Sequence, residues 1–219
     1  MGRAEYGILL VAYGTRVRAA RQAYVSFEAR VRARWPGMPV AWGFSSAALR
    51  RQLAAQGDPQ PSIAEGLASL AAQGVTRVAV QSLHLLAGSE YDSLRQQARQ
   101  EQGGALGFTE IQVGLPLLAS AQDLSQVLSA LLATVPPERL PREPILLMGH
   151  GSKHPADLAY LAAAELLRGL DPRAFIATLE GYPQFTDLLA RLVEHPRGRI
   201  WLLPLVAVAG GHVRRDLAG

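Results

Sequence analysis

The chain contains an internal repeat, and this repeat restricts the possible fold more than any other feature. Ile8–Thr15 reads ILLVAYGT and Ile145–Ser152 reads ILLMGHGS. A second pair follows in the same order, because Val78–Asp92 (VAVQSLHLLAGSEYD) matches Ile200–Arg214 (IWLLPLVAVAGGHVR). A repeat of this length covers a half-domain rather than a short motif. It predicts two similar lobes that face each other across a cleft.

The repeated segments begin with short apolar runs that are typical of buried strands. Ile145–Met148 is too short for a helix and is bounded by proline and glycine. Residues 76–83 (TRVAVQSL) have an apolar centre at Val78–Val80, from which we predict a strand buried on both faces. Helical patterns alternate with these runs, so we predict an α/β fold of parallel sheets flanked by helices. The proline-rich segment 135–144 reads as a linker between an N-terminal lobe, 1–135, and a C-terminal lobe, 136–219.

The composition is typical of a soluble globular protein, with 219 residues, 49% hydrophobic and 18% charged. No run of about 20 apolar residues indicates a membrane span, and the N-terminus has no signal-peptide pattern. The absence of cysteine excludes disulfides and thiolate ligands. The chain has few aromatics and no basic stripe, so we expect no nucleic-acid partner. These features predict a cytoplasmic protein.

Three positions distinguish the second half of the repeat from the first. Each lies just past the end of a predicted strand, and the aligned pairs are Tyr13 with His150, Phe44 with Glu180, and Glu90 with His212. Ligands bind at the carboxyl ends of parallel strands. Two imidazoles and a carboxylate suit a divalent first-row metal such as cobalt, nickel, iron or zinc. Three ligands from separate strands would leave coordination positions open, as catalysis requires. We therefore predict that His150, Glu180 and His212 bind a metal.

The basic residues are nearly all arginine, since Lys153 is the only lysine and the net charge is +4. Arginine binds carboxylates and phosphates through two hydrogen bonds. Arg16, Arg18 and Arg21 follow the first strand and are candidates to bind an acidic substrate; a coding bias toward arginine is the alternative explanation. His84 lies in an apolar run, where it fits a packed histidine as well as a site residue.

Six segments are distinctive in combination: VAYGT, WGFSSAALRRQL, VQSLHLLAGSEYD, MGHGSKH, LEGYP and PLVAVAGGHVRRDLAG. In these segments, and from Ile8 to Gly219, the chain resembles the class II chelatases, above all the anaerobic sirohydrochlorin cobaltochelatase family of cobalamin biosynthesis. The resemblance implies a chelatase-like fold and a lyase-type enzyme that inserts Co²⁺ into a tetrapyrrole rich in carboxylates, either sirohydrochlorin or a precorrin-type ring. It implies Co²⁺ as the substrate metal and no organic cofactor.

The resemblance also assigns residues. His150, Glu180 and His212 fall on the family's metal-binding positions, and Glu90 falls on an acidic position of its cleft. The family's final helix has no counterpart after Gly219. We therefore expect a shortened C-terminal lobe with an unpaired sheet edge, which favours a homo-oligomer.

Inserting a metal into a flat macrocycle requires exchangeable metal ligands, bases for the two pyrrole N–H protons and distortion of the ring. We expect His150 and His212 to hold the metal, Glu180 to ligate it or accept a proton, and Glu90 to carry protons away. Ligation needs neutral imidazole, so metal binding should weaken below about pH 6.5.

The ring itself is expected to lie against residues near the same strand ends, with Arg16 on its carboxylates. The other expected contacts are Tyr13, Phe44, Leu85, Leu86 and Val208. Two alternatives remain open: a chelatase for iron or nickel, since these metals accept the same ligands, and a carrier that binds metal or tetrapyrrole without turnover. A hydrolase is less favoured, because Ser152 lies outside any G-x-S-x-G motif.

Overall fold

The computed structural model describes residues 5–193 and 199–208. The chain divides into two compact units, each built on its own parallel sheet. The first unit comprises Met1–His84 and Ser89–Pro116, and the second comprises Leu85–Gly88 and Leu117–Gly219. Two parallel sheets flanked by helices confirm the predicted fold class.

The first unit has a four-stranded sheet in the order β2-β1-β3-β4. Its strands are β1 (Tyr6–Ala12), β2 (Val40–Phe44), β3 (Arg77–Ser82) and β4 (Glu110–Val113). Its helices are α1 (Gln22–Arg34), α2 (Ala47–Ala55), α3 (Ile63–Ala72) and α4 (Ser89–Glu101). A 3₁₀ turn, Arg18–Arg21, precedes α1.

The central strand of this sheet, β1, is buried on both faces, as its apolar run predicts. The expectation of two-faced burial is wrong for β3. Val78 and Val80 are buried, whereas Ala79 and Gln81 on the opposite face are exposed. On that face α1 packs over β1 and β2 through Val31 and its neighbours. The polar Gln81 lies on the exposed face, so the sequence of β3 itself indicates that this face is open.

Helix α3 begins at a capping box that its sequence encodes. The hydroxyl of Ser62 accepts a hydrogen bond from the backbone N–H of Glu65 at 3.2 Å, and the Glu65 carboxylate accepts one from the N–H of Ser62 at 2.6 Å. Ile63, Leu67 and Leu70, at helical spacing, are buried. This helix packs on β1 and β2 and holds the first sheet in place.

The second unit has a three-stranded parallel sheet in the order β6-β5-β7. Its strands are β5 (Ile145–Gly149), β6 (Ala174–Thr178) and β7 (Trp201–Leu205). Its helices are α5 (Ala121–Leu132), α6 (Leu158–Leu170) and α7 (Phe185–Val193). Gly149 pairs with both Thr178 and Leu205, so the three strands end side by side at one edge of the sheet.

Helix α5 belongs to the second unit by its packing. Leu124 and Leu128 are buried in a core cluster with Leu147 and Leu167. The division by packing thus differs by one helix from the sequence-based boundary between residues 135 and 136. The proline-rich linker marks where helix formation stops, but it does not show which sheet the preceding helix covers.

The end of the linker is fixed by a buried carboxylate. Glu143 accepts hydrogen bonds from Trp201 Nε1 at 2.8 Å and from the Leu140 N–H at 3.1 Å, and pairs with Arg199 at 3.3 Å. These donors, the indole first, lower the pKa of Glu143 to about 2. The network joins the start of β5 to β7. No helix within the described residues is long and apolar enough to span a membrane.

Candidate functional site

His150 and Glu180 are neighbours at the carboxyl edge of the second sheet. His150 directly follows β5, and Glu180 follows β6 by two residues. The Glu180 N–H donates to the carbonyl oxygen of His150 at 2.9 Å, and the Leu179 N–H donates to that of Gly149 at 3.1 Å. These two backbone hydrogen bonds link the loops that follow β5 and β6, so the backbones of the two predicted ligand residues lie next to each other.

The hydrogen bonding of His150 suits ligation through Nε2. Its Nδ1 lies 3.1 Å from the carbonyl oxygen of Gly151. A carbonyl oxygen can only accept, so Nδ1 carries the proton and the lone pair of the neutral ring lies on Nε2. Metal-binding histidines commonly donate their other ring N–H to a carbonyl in this way. His150 is half-buried and Glu180 is exposed, which leaves both side chains accessible.

The glycines on either side of His150 are required by close contacts. Gly151 has φ +78°, and a Cβ there would overlap the amide nitrogen of Gly181. A Cβ on Gly149 would lie 2.6 Å from the ring of Tyr160. The GHG loop therefore touches the Glu180–Gly181 turn through backbone atoms. Only glycine permits this approach.

The third predicted ligand, His212, lies outside the described residues. Strand β7, which leads toward it, is paired with β5, and the described chain continues to Val208. Within residues 5–193 and 199–208 no group of three His, Cys, Asp or Glu side chains could hold a metal. The described part of the second unit thus places two of the three predicted ligand residues just past adjacent strand ends, and the metal site stays a prediction.

Two residues predicted to bind the tetrapyrrole are accessible in the first unit. Tyr13 directly follows β1 and is 53% exposed. Arg16 is exposed, and its Nη1 donates a single hydrogen bond of 3.3 Å to Gln52 Oε1. Arg21, which the sequence also offered as a candidate, is bound internally: it pairs with Asp58 at 2.6 Å and donates to the carbonyl of Thr15 at 3.2 Å. Arg16 therefore remains the better candidate for a substrate carboxylate.

Phe44 does not present its ring as predicted. It is 7% exposed and stacks on Trp42 at a centroid distance of 5.6 Å, with Tyr24 at 5.7 Å. Phe44 lies at the end of a strand, as the sequence predicts, but its ring packs inward as part of the core. Burial leaves it almost no surface for a ligand.

The other predicted ring contacts belong to the second unit. Leu85 and Leu86 are half-buried against its core cluster, and the carbonyl of Leu85 accepts a hydrogen bond from the Leu118 N–H at 2.9 Å. Val208 is half-buried beyond β7. Leu85 and Leu86 thus lie between two elements of the first unit in sequence while packing with the second.

His84 is a packed histidine with both ring nitrogens hydrogen-bonded. Nε2 lies 3.0 Å from Ser45 Oγ and Nδ1 lies 3.0 Å from Ser82 Oγ. Burial lowers the pKa of His84, and the charge of Glu90 opposes this shift. The sequence left two alternatives for this residue, and the structure supports the packed one. Glu90 itself is half-buried in the first turn of α4.

Sequence reasoning missed two residues that contact the candidate ligand loops. Tyr160 is 2% exposed, burial raises its pKa to about 12, and its hydroxyl is hydrogen-bonded with the Gly151 backbone. Asp157 Oδ2 accepts a hydrogen bond from the Tyr182 N–H at 2.9 Å. Both residues fit an ordinary amphipathic helix pattern. Their position just after the GHG loop was the only available signal.

Comparison with known proteins identifies relatives along almost the whole chain. The family model of cobalt chelatase (CbiK) matches residues 6–219. The sirohydrochlorin cobaltochelatase CbiKC of Nitratidesulfovibrio vulgaris is 40% identical over 213 residues, which is 97% of this chain and 75% of the relative. The sirohydrochlorin cobaltochelatase of Salmonella typhimurium is 32% identical over 96% of this chain and 79% of its own length.

Two solved structures share the fold. The sirohydrochlorin chelatase SirB from Bacillus subtilis subspecies spizizenii, in complex with cobalt, has a TM-score of 0.63 at 19% identity and covers 92% of this chain and 75% of its own. SirB from Bacillus subtilis with Fe³⁺ has a TM-score of 0.65 at 20% identity, covering 91% and 76%. At these identities the similarity concerns the arrangement of the elements.

Proposed function

The chain belongs to the cobalt chelatase (CbiK) family, and from this premise we propose that it is an enzyme that inserts Co²⁺ into sirohydrochlorin. Two relatives named sirohydrochlorin cobaltochelatase, matching over 97% and 96% of the chain, support the substrate. The observation that carries the proposal is the hydrogen bond between the Glu180 N–H and the His150 carbonyl. It joins the backbones of two residues that we propose as metal ligands, at the sheet edge where parallel α/β folds bind ligands.

In this proposal Co²⁺ is a substrate held by few protein ligands. His150 ligates it through Nε2, Glu180 through its exposed carboxylate, and His212 is the third ligand. Imidazole and carboxylate ligands bind Co²⁺ well, and other ligands can replace them on the metal. An incomplete protein coordination shell leaves positions that the ring nitrogens can occupy before the protein ligands leave.

The insertion releases two protons, because the metal replaces two pyrrole N–H hydrogens. The metal keeps its charge, so the reaction needs no electron donor and no organic cofactor. We assign one proton to the exposed carboxylate of Glu180 and the other to Glu90. His84 is less suited to this task, since both of its ring nitrogens are engaged by serine hydroxyls.

We assign the ring to Tyr13, Leu85, Leu86 and Val208, and its carboxylates to Arg16. The exposure of Tyr13 and Arg16 supports these roles, and the burial of Phe44 argues against its direct contact with the ring. A location in the cytoplasm and assembly into a homo-oligomer are parts of the same proposal.

The test is the rate of the absorbance change of sirohydrochlorin with Co²⁺, with and without the protein. The wild type should accelerate insertion over the uncatalysed rate, and Glu180→Ala should lose at least about 100-fold of kcat/KM, the lower end of typical general-base effects. Glu165→Ala is the matched control, because Glu165 is an exposed carboxylate on α6 that pairs with Arg168. A wild-type rate equal to the uncatalysed rate would favour a carrier.

A further inference from the structure

The residues at the start of α6 contact both loops that carry the proposed Co²⁺ ligands. The 3₁₀ turn Pro155–Asp157 leads directly into α6. Asp157 contacts the Glu180–Tyr182 turn, and Tyr160 contacts the GHG loop around His150. These two side chains are three residues apart on one helical face, so a single rigid element reaches both ligand loops.

Asp157 holds the turn after Glu180 by two contacts. Its Oδ2 accepts the hydrogen bond from the Tyr182 N–H at 2.9 Å. Its carboxylate also packs directly on Gly181, where a Cβ would lie 2.7 Å from Oδ1 and would overlap Oδ2. Oδ1 is buried and accepts no hydrogen bond from the described residues. Burying an unpaired carboxylate oxygen costs free energy, so stability alone does not account for aspartate at this position.

Tyr160 holds the GHG loop on both sides of His150. Its ring covers Gly149, where a Cβ would lie 2.6 to 2.9 Å from ring and hydroxyl atoms. Its hydroxyl is hydrogen-bonded with the backbone of Gly151. The tyrosine is 2% exposed, so its position is fixed by the core.

The candidate ligands depend on their loops for orientation, because the ring of His150 is hydrogen-bonded within its own loop, from Nδ1 to the Gly151 carbonyl at 3.1 Å. Glu180 is exposed and His150 is half-buried. The direction of each side chain therefore depends on the backbone that carries it. Residues outside the ligand set that fix ligand orientation typically change metal affinity 10- to 100-fold when they are removed.

We propose that Asp157 and Tyr160 are positioning residues that fix His150 and Glu180 relative to each other for Co²⁺ binding. This inference rests on the proposed function, since it takes those two residues as ligands. It adds two further residues to the site and gives a reason for each of the three glycines in the GHG and Glu-Gly segments.

The test measures Co²⁺ binding in the absence of tetrapyrrole, by calorimetry and by the visible absorption of the bound ion. Asp157→Ala and Tyr160→Phe should each weaken Co²⁺ binding about 10-fold and alter the visible band, which reports the ligand geometry. Asp157→Asn keeps an oxygen for the Tyr182 N–H and should recover most of the affinity. The KM for sirohydrochlorin should stay unchanged in all three variants, while kcat falls in Asp157→Ala and Tyr160→Phe and is largely kept in Asp157→Asn.

Controls separate positioning from loss of fold. Glu165→Ala lies on the same helix, and Tyr6→Phe removes an exposed hydroxyl from the first unit; both should bind Co²⁺ like the wild type. Gly181→Ala leaves Asp157 in place but pushes against its carboxylate. It should also weaken Co²⁺ binding, and it replaces Asp157→Ala if that variant does not fold.

The outcomes distinguish this inference from the proposed function. The positioning role would be overturned if Tyr160→Phe and folded Asp157→Ala both kept the wild-type Co²⁺ affinity and visible spectrum. If Asp157→Ala does not fold, Gly181→Ala takes its place in this comparison. Wild-type Co²⁺ binding in His150→Ala would instead overturn the ligand assignment on which the proposed function depends.

Discussion

The backbone N–H of Glu180 donates a 2.9 Å hydrogen bond to the carbonyl of His150. This bond links the loops that follow β5 and β6 and sets the distance between the backbones of two candidate metal ligands. Both side chains therefore start from backbone atoms that are held together just past the paired strand ends. The proposed chemistry depends on this relationship.

The GHG loop should tolerate no side chain at Gly151. Gly151→Ala places a Cβ at φ +78° and against the backbone of Gly181, so we expect destabilisation by about 1–3 kcal/mol and loss of Co²⁺ binding. Gly169→Ala is the matched control, because Gly169 lies in α6 with no atom near its would-be Cβ. That control should be neutral or stabilising by up to about 1 kcal/mol. Urea unfolding and calorimetry check both variants, and equal behaviour of the two would contradict the close approach.

Replacing Arg16 should affect substrate binding, whereas replacing Arg21 should affect stability. Arg16 is exposed and makes one long hydrogen bond, so Arg16→Ala should raise the KM for sirohydrochlorin with little change in stability. Arg21 is tied to Asp58 and Thr15, so Arg21→Ala should lower the free energy of unfolding. Steady-state kinetics and urea unfolding separate the two effects. An unchanged KM in Arg16→Ala would remove Arg16 from the substrate site.

Glu143 should make the second unit sensitive to acid. The pKa of Glu143 is lowered from 4.5 to about 2, so its contribution to stability is present above pH 4.5 and is lost as the pH falls through 2. The wild type should therefore unfold at a higher temperature than Glu143→Gln near neutral pH, and the difference should vanish by about pH 2. Thermal unfolding followed by circular dichroism measures this difference.

A matched comparison for that experiment is Glu165→Gln, which alters an exposed carboxylate on α6. Surface ion pairs contribute little, so its unfolding temperature should follow the wild type at every pH. A difference between wild type and Glu143→Gln that persists undiminished at pH 2 would show that the Glu143 charge is not its source.

Much of the fold could be predicted from the sequence, because apolar runs and helical spacing alternate regularly. The expected strand at Ile145–Met148 is β5 with one more residue. Errors arose where burial depends on a partner element. The apolar residues of β3 do not show that α1 packs over β1 and β2 and leaves the same face of β3 exposed. Likewise, the apolar stripe of α5 does not show which sheet the helix packs against.

The candidate site could also be predicted only in part from the sequence. The repeat placed His150 and Glu180 at adjacent strand ends, since parallel pairing follows from the order of the elements. It also placed Phe44 at a strand end, but the inward packing of its ring onto Trp42 is a tertiary contact. Asp157 and Tyr160 were not predicted, since their proposed roles depend on tertiary contacts with Gly181 and Gly149.

The most direct test of the central claim compares the wild type with a His150→Ala/His212→Ala double variant. The measurement is the initial rate of Co²⁺ insertion into sirohydrochlorin, followed by absorbance. We expect the wild type to accelerate insertion and the folded double variant to proceed at the uncatalysed rate. Insertion by the double variant at the wild-type rate would contradict the account, because the imidazoles assigned to Co²⁺ would then have no part in the reaction.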